Sequence, residues 1–316
     1  MDKILIIGAC GQLGTELTLK LRAMKGRDSV VATDLQNEPP KIVGDGPYEP
    51  LNILDSDRFH EILSTHDIKE VYHLAAILSA KGEDNPKFAW KLNMESLLTV
   101  LEAGRNKVKK IYWPSSIAVF GKDTPKENVP QKTIMNPDTV YGISKLAGER
   151  WCEYYFQKYG VDVRSLRYPG LIGYKAMPGG GTTDYAVHVF HKAIARESYE
   201  CFIEEGTVLP MMYMEDAVRA TIELMEAPID QVKVRSSYNL AAMSFSPMSI
   251  TTEIRKHYPD FKITFVPDYR QKIANSWPAS IDDSEARADW GWRHEYGLPE
   301  LVETMIGHLK DTIVVS

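Results

Sequence analysis

The chain has 316 residues, 44% of them apolar, and a formal net charge of −6 from 37 basic and 43 acidic side chains. That length buries a large core, as one α/β domain with a lobe attached or as two modest domains, and the charge gives no general attraction for nucleic acid or anionic lipid. No apolar run reaches transmembrane length, and three scattered cysteines, Cys10, Cys152 and Cys201, make neither a disulfide framework nor a zinc site.

A β-type run from Lys3 to Ile7 starts so early that no charged leader, apolar stretch and cleavage site fit before it, and a reducing cytoplasm is the expected location. Gly8-Ala9-Cys10-Gly11-Gln12-Leu13-Gly14 follows and opens a helical pattern over about 12–25. Glycines at such a turn let the backbone approach a pyrophosphate while helix N-terminal N–H groups point at it. Cys10 reads as a small space-filler there, with a reactive thiol as the alternative. A second β-rich run, 29–33, leads into Asp34, where an acid accepts hydrogen bonds from a ribose diol. The next residues, Leu35, Gln36 and Asn37, offer no cation for a 2′-phosphate, so NAD is expected over NADP. A strand-end acid capping the next turn is the other reading of Asp34.

Helical patterns at about 56–66, 86–105 and 139–158 alternate with strand-like runs at 70–74, 110–113 and 161–166. This alternation predicts parallel strands joined by right-handed helical crossovers. The expected fold is α/β: a Rossmann-type doubly wound parallel sheet over 1–170, then a smaller, partly discontinuous α/β lobe over 171–316, with segments able to return to the first domain. In the lobe, Met177-Pro178-Gly179-Gly180-Gly181 reads as a mobile loop. Helical patterns follow at about 184–196, 214–226, 247–257 and 297–311, with strand-like runs near 200–203, 236–240 and 262–266.

Ligands of such a sheet bind beyond the carboxyl ends of its strands, which directs attention to Ser116, just past the run 110–113. Tyr141 and Lys145 stand four apart on one predicted helix and share a face. An ammonium beside a phenol favours the phenolate, which makes Tyr141 a proton acceptor. A hydroxyl at Ser116 can hold the oxygen that changes between alcohol and carbonyl.

Gly8, Gly11 and Gly14, Asp34, His73-Leu74-Ala75-Ala76, Asn93, Ser116, Tyr141 with Lys145, and Arg167-Tyr168-Pro169-Gly170 together resemble the extended short-chain dehydrogenase/reductase family, the NAD-dependent epimerase/dehydratase-like group, over essentially the whole chain. The resemblance implies that Leu74, Ala75 and Ala76 line the dinucleotide, that Asn93 supports the site, and that Tyr168, Pro169, Gly170 and Leu171 approach the nicotinamide. Relatives place an acid and an apolar residue against adenine where this chain has Asn52 and Ile53. Relatives also commonly pair the two long helices into a four-helix dimer interface, and a homodimer is expected.

Two further segments, 178–186 and 276–292, resemble a branch of the family that acts on a small amino acid. The expected reaction is oxidation of the L-threonine β-hydroxyl to 2-amino-3-oxobutyrate with NADH formation. Thr182 and Thr183 would offer hydroxyls to the carboxylate, Trp277 an apolar wall, and Ser79 a further polar contact. Asp184 either attracts the ammonium or caps the helix that begins there. Two alternatives stay open: a sugar-nucleotide epimerase or dehydratase, and a non-catalytic dinucleotide sensor. The eight histidines lack ligand spacing, and no metal is expected.

Overall fold

The computed structural model describes residues 2–314. Its central sheet takes β1 (Lys3–Ile7), β2 (Val30–Asp34), β3 (Tyr48–Pro50), β4 (Ile68–His73), β5 (Lys110–Tyr112) and, after a two-residue strand β6 (Ser115–Ser116), β7 (Asp162–Arg164). The order is β3-β2-β1-β4-β5-β7, parallel throughout, so the chain reverses its direction of growth between β1 and β4, where this topology opens a ligand crevice. Between the strands lie α1 (Gln12–Lys25), the single turn α2 (Lys41–Gly44), α3 (Ser56–Thr65), a short α4 (Ser79–Asp84), α5 (Pro86–Gly104) and α6 (Val140–Tyr159).

Alternation along the strands divides the core. Leu5, Ile7, Val31, Val71, Ile111 and Val163 pack on one face with side chains of α3, α5 and α6. Ile4, Ile6, Val30, Ala32, Tyr72 and Tyr112 pack on the other with Leu17 and Leu21 of α1. Strands buried on both faces read as continuous apolar runs, which is why these were visible in the sequence.

The expected strand 161–166 is broken in two, and the expected strand 110–113 is followed by a second short strand beyond its end. Pro114 has no N–H to continue the ladder and divides β5 from β6. Between β7 and β8 (Leu166–Tyr168) the Ser165 carbonyl instead accepts from Tyr238 N at 3.0 Å. After these breaks β6, β8 and β12 (Tyr238–Asn239) form a separate three-stranded sheet. The rest of the chain supplies β9 (Gly170–Ile172), α7 (Tyr185–Ile194), β10 (Tyr199–Cys201), β11 (Leu209–Tyr213), α8 (Met214–Glu226), β13 (Met243–Phe245), α9 (Pro247–Arg255), β14 (Ile263–Phe265), α10 (Tyr269–Ser276), α11 (Ser284–Trp290) and α12 (Leu298–Val314). Strand β11 pairs with β9 and β13, while β10 pairs with β14. Helix α8 returns to pack on α1, and the core of α7, α9 and α12 lies beyond the carboxyl ends of the central strands.

Candidate active site

The glycine turn is shaped by close approach. Gly8 has φ +87°, and its N–H and that of Ala9 donate to Thr33 O at 2.9 and 3.0 Å, tying the turn to β2. A methyl on Gly14 would lie 2.1 Å from Gly8 O, so any larger residue forces the backbone apart. Gly11 is the N-cap of α1 and supplies no side-chain partner to the first-turn N–H groups, and Gln12 Nε2 is buried without a hydrogen-bond partner. Free donors at a helix N-terminus, an orphaned buried amide and a cradle without side chains fit a dinucleotide pyrophosphate.

At the next strand end the Asp34 carboxylate accepts from Cys10 N at 2.9 Å and Leu35 N at 2.8 Å, which fixes it over the turn. Burial and Asp34 push the Cys10 thiol up to about 11, so it fills space and is not a nucleophile. Leu74, Ala75 and Ala76 follow β4 half-buried, with Leu74 N bonded to Ile7 O at 2.8 Å, and Leu13, in the first turn of α1, packs on the core. Asn52 is exposed and accepts from Leu54 N at 3.1 Å to build a turn, while Ile53 lies in the core.

Opposite this cradle, α6 starts with a Thr139 cap whose hydroxyl accepts from Gly142 N at 3.1 Å. A methyl on Gly142 would be 2.2 Å from Ala118 O, so only a bare backbone brings the start of α6 against the turn after β6. That approach puts the Tyr141 phenol beside the Ser116 hydroxyl. Burial pushes the phenol up to about 12, and hydrogen bonding from Ser116 works against the shift. Lys145, 3% exposed, donates to Pro114 O at 2.6 Å and sits 4.4 Å from the Trp113 ring centre and 5.5 Å from that of Tyr141. Burial drags its ammonium down to about 7, opposed by Cys152 and Glu149 on the same helix. Asn93 from α5 accepts from Ile77 N at 2.9 Å and donates to Ile77 O and Ser144 Oγ, each at 3.1 Å, pinning the segment after β4 to α6.

The third wall is the segment 173–184. Its stem is tied to α1 by an ion pair between Lys175 and the buried Glu16, and Tyr174 stacks on His308 of α12 at 4.2 Å. Farther on, Lys81 methylenes of α4 fill the space where a side chain at position 180 would lie. Thr182 is buried with its Oγ1 3.4 Å from Ser79 Oγ, and Ser79 is the buried first residue of α4. Asp184 makes no cap at α7: its carboxylate turns back to Gly180 N and Gly181 N at 2.9 and 2.7 Å and stiffens the glycine segment. Thr183 is half-buried against Gly170. Trp277, 7% exposed, belongs to the lobe core on which Tyr141 also packs, and Lys126 Nζ donates to Asn275 O and Trp277 O at the end of α10.

Other candidate side chains face inward. The Tyr168 hydroxyl is bonded to Tyr112 Oη at 2.6 Å and to Thr221 inside the core, Pro169 and Gly170 are buried, and Leu171 is half-buried. Burial lowers the His73 imidazole to about 3, leaving it neutral against Ser96 Oγ at 2.8 Å. No cluster of three or more potential metal ligands occurs among the described residues. Sequence reasoning missed the buried pair Glu149–Arg167 beneath Ser116. The available signal was an acid four residues after Lys145, on the stripe that α6 turns inward.

Comparison with known proteins adds relatives of matching length. The chain is 48% identical over 317 residues, covering 99% of each sequence, to an uncharacterized epimerase/dehydratase of Staphylococcus aureus strain MRSA252. Its structure is similar to a partial consensus L-threonine 3-dehydrogenase, with a TM-score of 0.96 and 56% identity over 98% of this chain and 100% of that one. A GalE-like L-threonine dehydrogenase from Cupriavidus necator in its holo form gives a TM-score of 0.95 at 54% identity, covering 98% and 100% of the two chains. A family model described as the NAD dependent epimerase/dehydratase family matches residues 4–241. With the glycine cradle, Asp34 and the Ser116–Tyr141–Lys145 group on one crevice, this chain belongs to the NAD dependent epimerase/dehydratase family.

Proposed function

We propose that this protein is an NAD-dependent L-threonine 3-dehydrogenase. The observation that carries this reading is the packing of α4, whose Ser79 meets Thr182 and whose Lys81 meets the glycine segment, against α6, which bears Tyr141 and Lys145, in a chain similar to solved threonine dehydrogenases at 54–56% identity. Gly8, Gly11, Gln12, Leu13 and Gly14 hold the pyrophosphate and Asp34 the adenosine ribose, with Ile53 and Asn52 towards adenine. Leu74, Ala75 and Ala76 line the dinucleotide from β4, and Tyr168 to Leu171 back the nicotinamide.

When bound, NAD supplies the hydride acceptor. Tyr141 takes the proton of the threonine β-hydroxyl as the hydride leaves the same carbon, and the product is 2-amino-3-oxobutyrate. Ser116 donates to that oxygen and holds it against the phenol. Lys145 stabilises the phenolate and bonds the nicotinamide ribose, while Asn93 keeps the segment after β4 in register with α6. Ser79, Thr182 and Thr183 take the carboxylate, and Trp277 closes the apolar side. Asp184 acts through the glycine segment that it braces. The hydroxyls of Ser79, Thr182 and Thr183 suit the carboxylate of a small zwitterion. The test is NADH formation with L-threonine against a nucleotide sugar: turnover of the second alone replaces this reading with an epimerase or dehydratase, and NAD binding with turnover of neither replaces it with a sensor.

We also propose a homodimer through α5 and α6, which expose Phe88, Trp90, Ile143, Trp151, Tyr154 and Tyr159. Sedimentation of the wild type against Trp151→Glu checks this, and a monomeric wild type rejects it.

A further inference from the structure

Beneath the proton-transfer group lies a buried ion pair that the reaction above does not use. Glu149 is fully buried on α6. Its Oε1 accepts from Ser115 Oγ at 2.6 Å and from Arg167 Nε at 2.8 Å, and its Oε2 from Arg167 Nη2 at 2.7 Å. Arg167, 1% exposed, donates Nη1 to Gln131 O at 3.1 Å and Asn239 Oδ1 at 3.0 Å. A pair serving stability alone gains little over apolar side chains of the same volume, so its attachments are what matter.

Three successive residues at the strand end are each held. Lys145 Nζ takes Pro114 O, Glu149 takes Ser115 Oγ, and Ser116 Oγ accepts from Ala118 N at 3.2 Å beside Tyr141. Two of these grips come from one face of α6, four residues apart. We propose that Glu149 is a positioning residue for proton transfer: through Ser115 it sets where Ser116 stands relative to Tyr141, and its charge faces the buried Lys145 ammonium.

The groups facing Lys145 decide whether that charge matters. On α6 they are Tyr141, Glu149 and Cys152; His73 faces it from the end of β4, and Arg167 from β8 stands behind Glu149. His73 is neutral, and burial pushes the Cys152 thiol far up, so it too is neutral. Glu149 is then the anion that opposes the cost of burying the Lys145 ammonium. Its loss also leaves Arg167 uncompensated, which makes both Tyr141 and Lys145 release their protons more easily.

This inference rests on the proposed roles of Tyr141 and Lys145, and its test does not depend on the substrate. The Lys145 side chain is followed by NMR in lysine-labelled protein, assigned by its absence in Lys145→Arg, for wild type and Glu149→Gln across the pH range. The expected result is a measurably lower Lys145 midpoint in Glu149→Gln, the direction for removing an anion that faces a buried ammonium. With any alcohol that the wild type turns over, both limbs of the kcat/KM profile should move to lower pH as well. An unchanged Lys145 midpoint overturns the electrostatic part even if threonine is not the substrate. Should Glu149→Gln fail to fold, Ser115→Ala decides the positional part, because it keeps both charges and cuts only the tether. It should lower kcat about tenfold or more, within the range ascribed to positioned groups, with NAD affinity held; wild-type kcat in Ser115→Ala overturns it.

Discussion

The glycine turn at 8–14 and the glycine segment at 179–181 look alike in sequence and are held in different ways. The first is fixed by backbone sterics over a few residues: Gly8 O lies where a Gly14 side chain would go. The second is held by side chains from distant parts of the chain, namely Glu16 on Lys175, Ser79 on Thr182 and the stem of Lys81, with Asp184 bracing it locally. A site that grips the invariant part of its ligand set with backbone and the variable part with exchangeable side chains can change substrate without disturbing its cofactor.

The largest break in that comparison comes from the reacting group that both regions serve. Tyr141→Phe should lower turnover by about two to four orders of magnitude, the usual scale for a positioned proton acceptor, while a titration shows NAD affinity little changed. In the wild type kcat/KM should rise with pH and level off near neutral, because the phenol, pushed up to about 12, must ionise to act while Lys145, held at about 7, loses there the proton that stabilises it.

A matched pair of alanines then sets the two glycine regions against each other. Gly14→Ala overpacks backbone against backbone and should weaken NAD by about 1–3 kcal/mol, the usual cost of a methyl forced into a packed site. Gly180→Ala meets only the flexible Lys81 stem but must hold φ +97°, and should raise the KM for threonine at unchanged NAD affinity, at a cost of about 1–2 kcal/mol. If Gly180→Ala weakens NAD as much as Gly14→Ala does, the two regions are not separate devices.

Trp277 sharpens the substrate side. Because it is buried in the lobe core, Trp277→Ala should cost about 3–5 kcal/mol of stability in a denaturant titration, which obscures any kinetic effect. Trp277→Phe keeps the packing and should show the change in threonine KM alone. Asp34→Ala should have a smaller effect, weakening NAD by about 1.5–3 kcal/mol, as for a hydrogen bond to a charged group, and narrowing the preference over NADP; paired dissociation constants at fixed salt check this.

A further expected effect is on stability and its pH dependence. Burial holds Lys145 at about 7 in the folded chain, below its unfolded value of about 10.4. Between those values the unfolded state binds a proton that the folded state does not, so folding is favoured more as pH rises. Lys145→Met lacks this dependence, and the difference in Tm between it and the wild type should shift in favour of the wild type as pH rises above neutral.

The same contrast explains what could be read from the sequence. Strand-end positions and the four-residue spacing of Tyr141 and Lys145 are local, and α1, α5, α6 and α8 stand within a residue or so of their expected bounds. Ser79 is legible as a polar candidate, but not its helical setting or its contact with Thr182, because α4 is a turn and a half long and the two lie 103 residues apart. Asp184 stands where a cap belongs, and only the folded loop shows its carboxylate taken by Gly180 and Gly181. Glu149 and Arg167 stand 18 residues apart, and only the folded chain shows them buried as one pair.

The strand breaks at Pro114 and Ser165 also bear on how the chain is made. Strand β8 finds its second neighbour in β12, β9 finds its neighbour in β11, and α1 is covered by α8, with Lys25 and Glu226 joined at 2.5 Å and Lys110 Nζ reaching Met225 O. During synthesis, residues 1–170 leave the ribosome with strand edges bare and one flank of α1 uncovered, the condition in which chains cross-pair. The N-terminal half therefore begins to cover these edges only once residues 209–239 have emerged, and a gene fragment ending at 170 should aggregate where the full chain stays in solution.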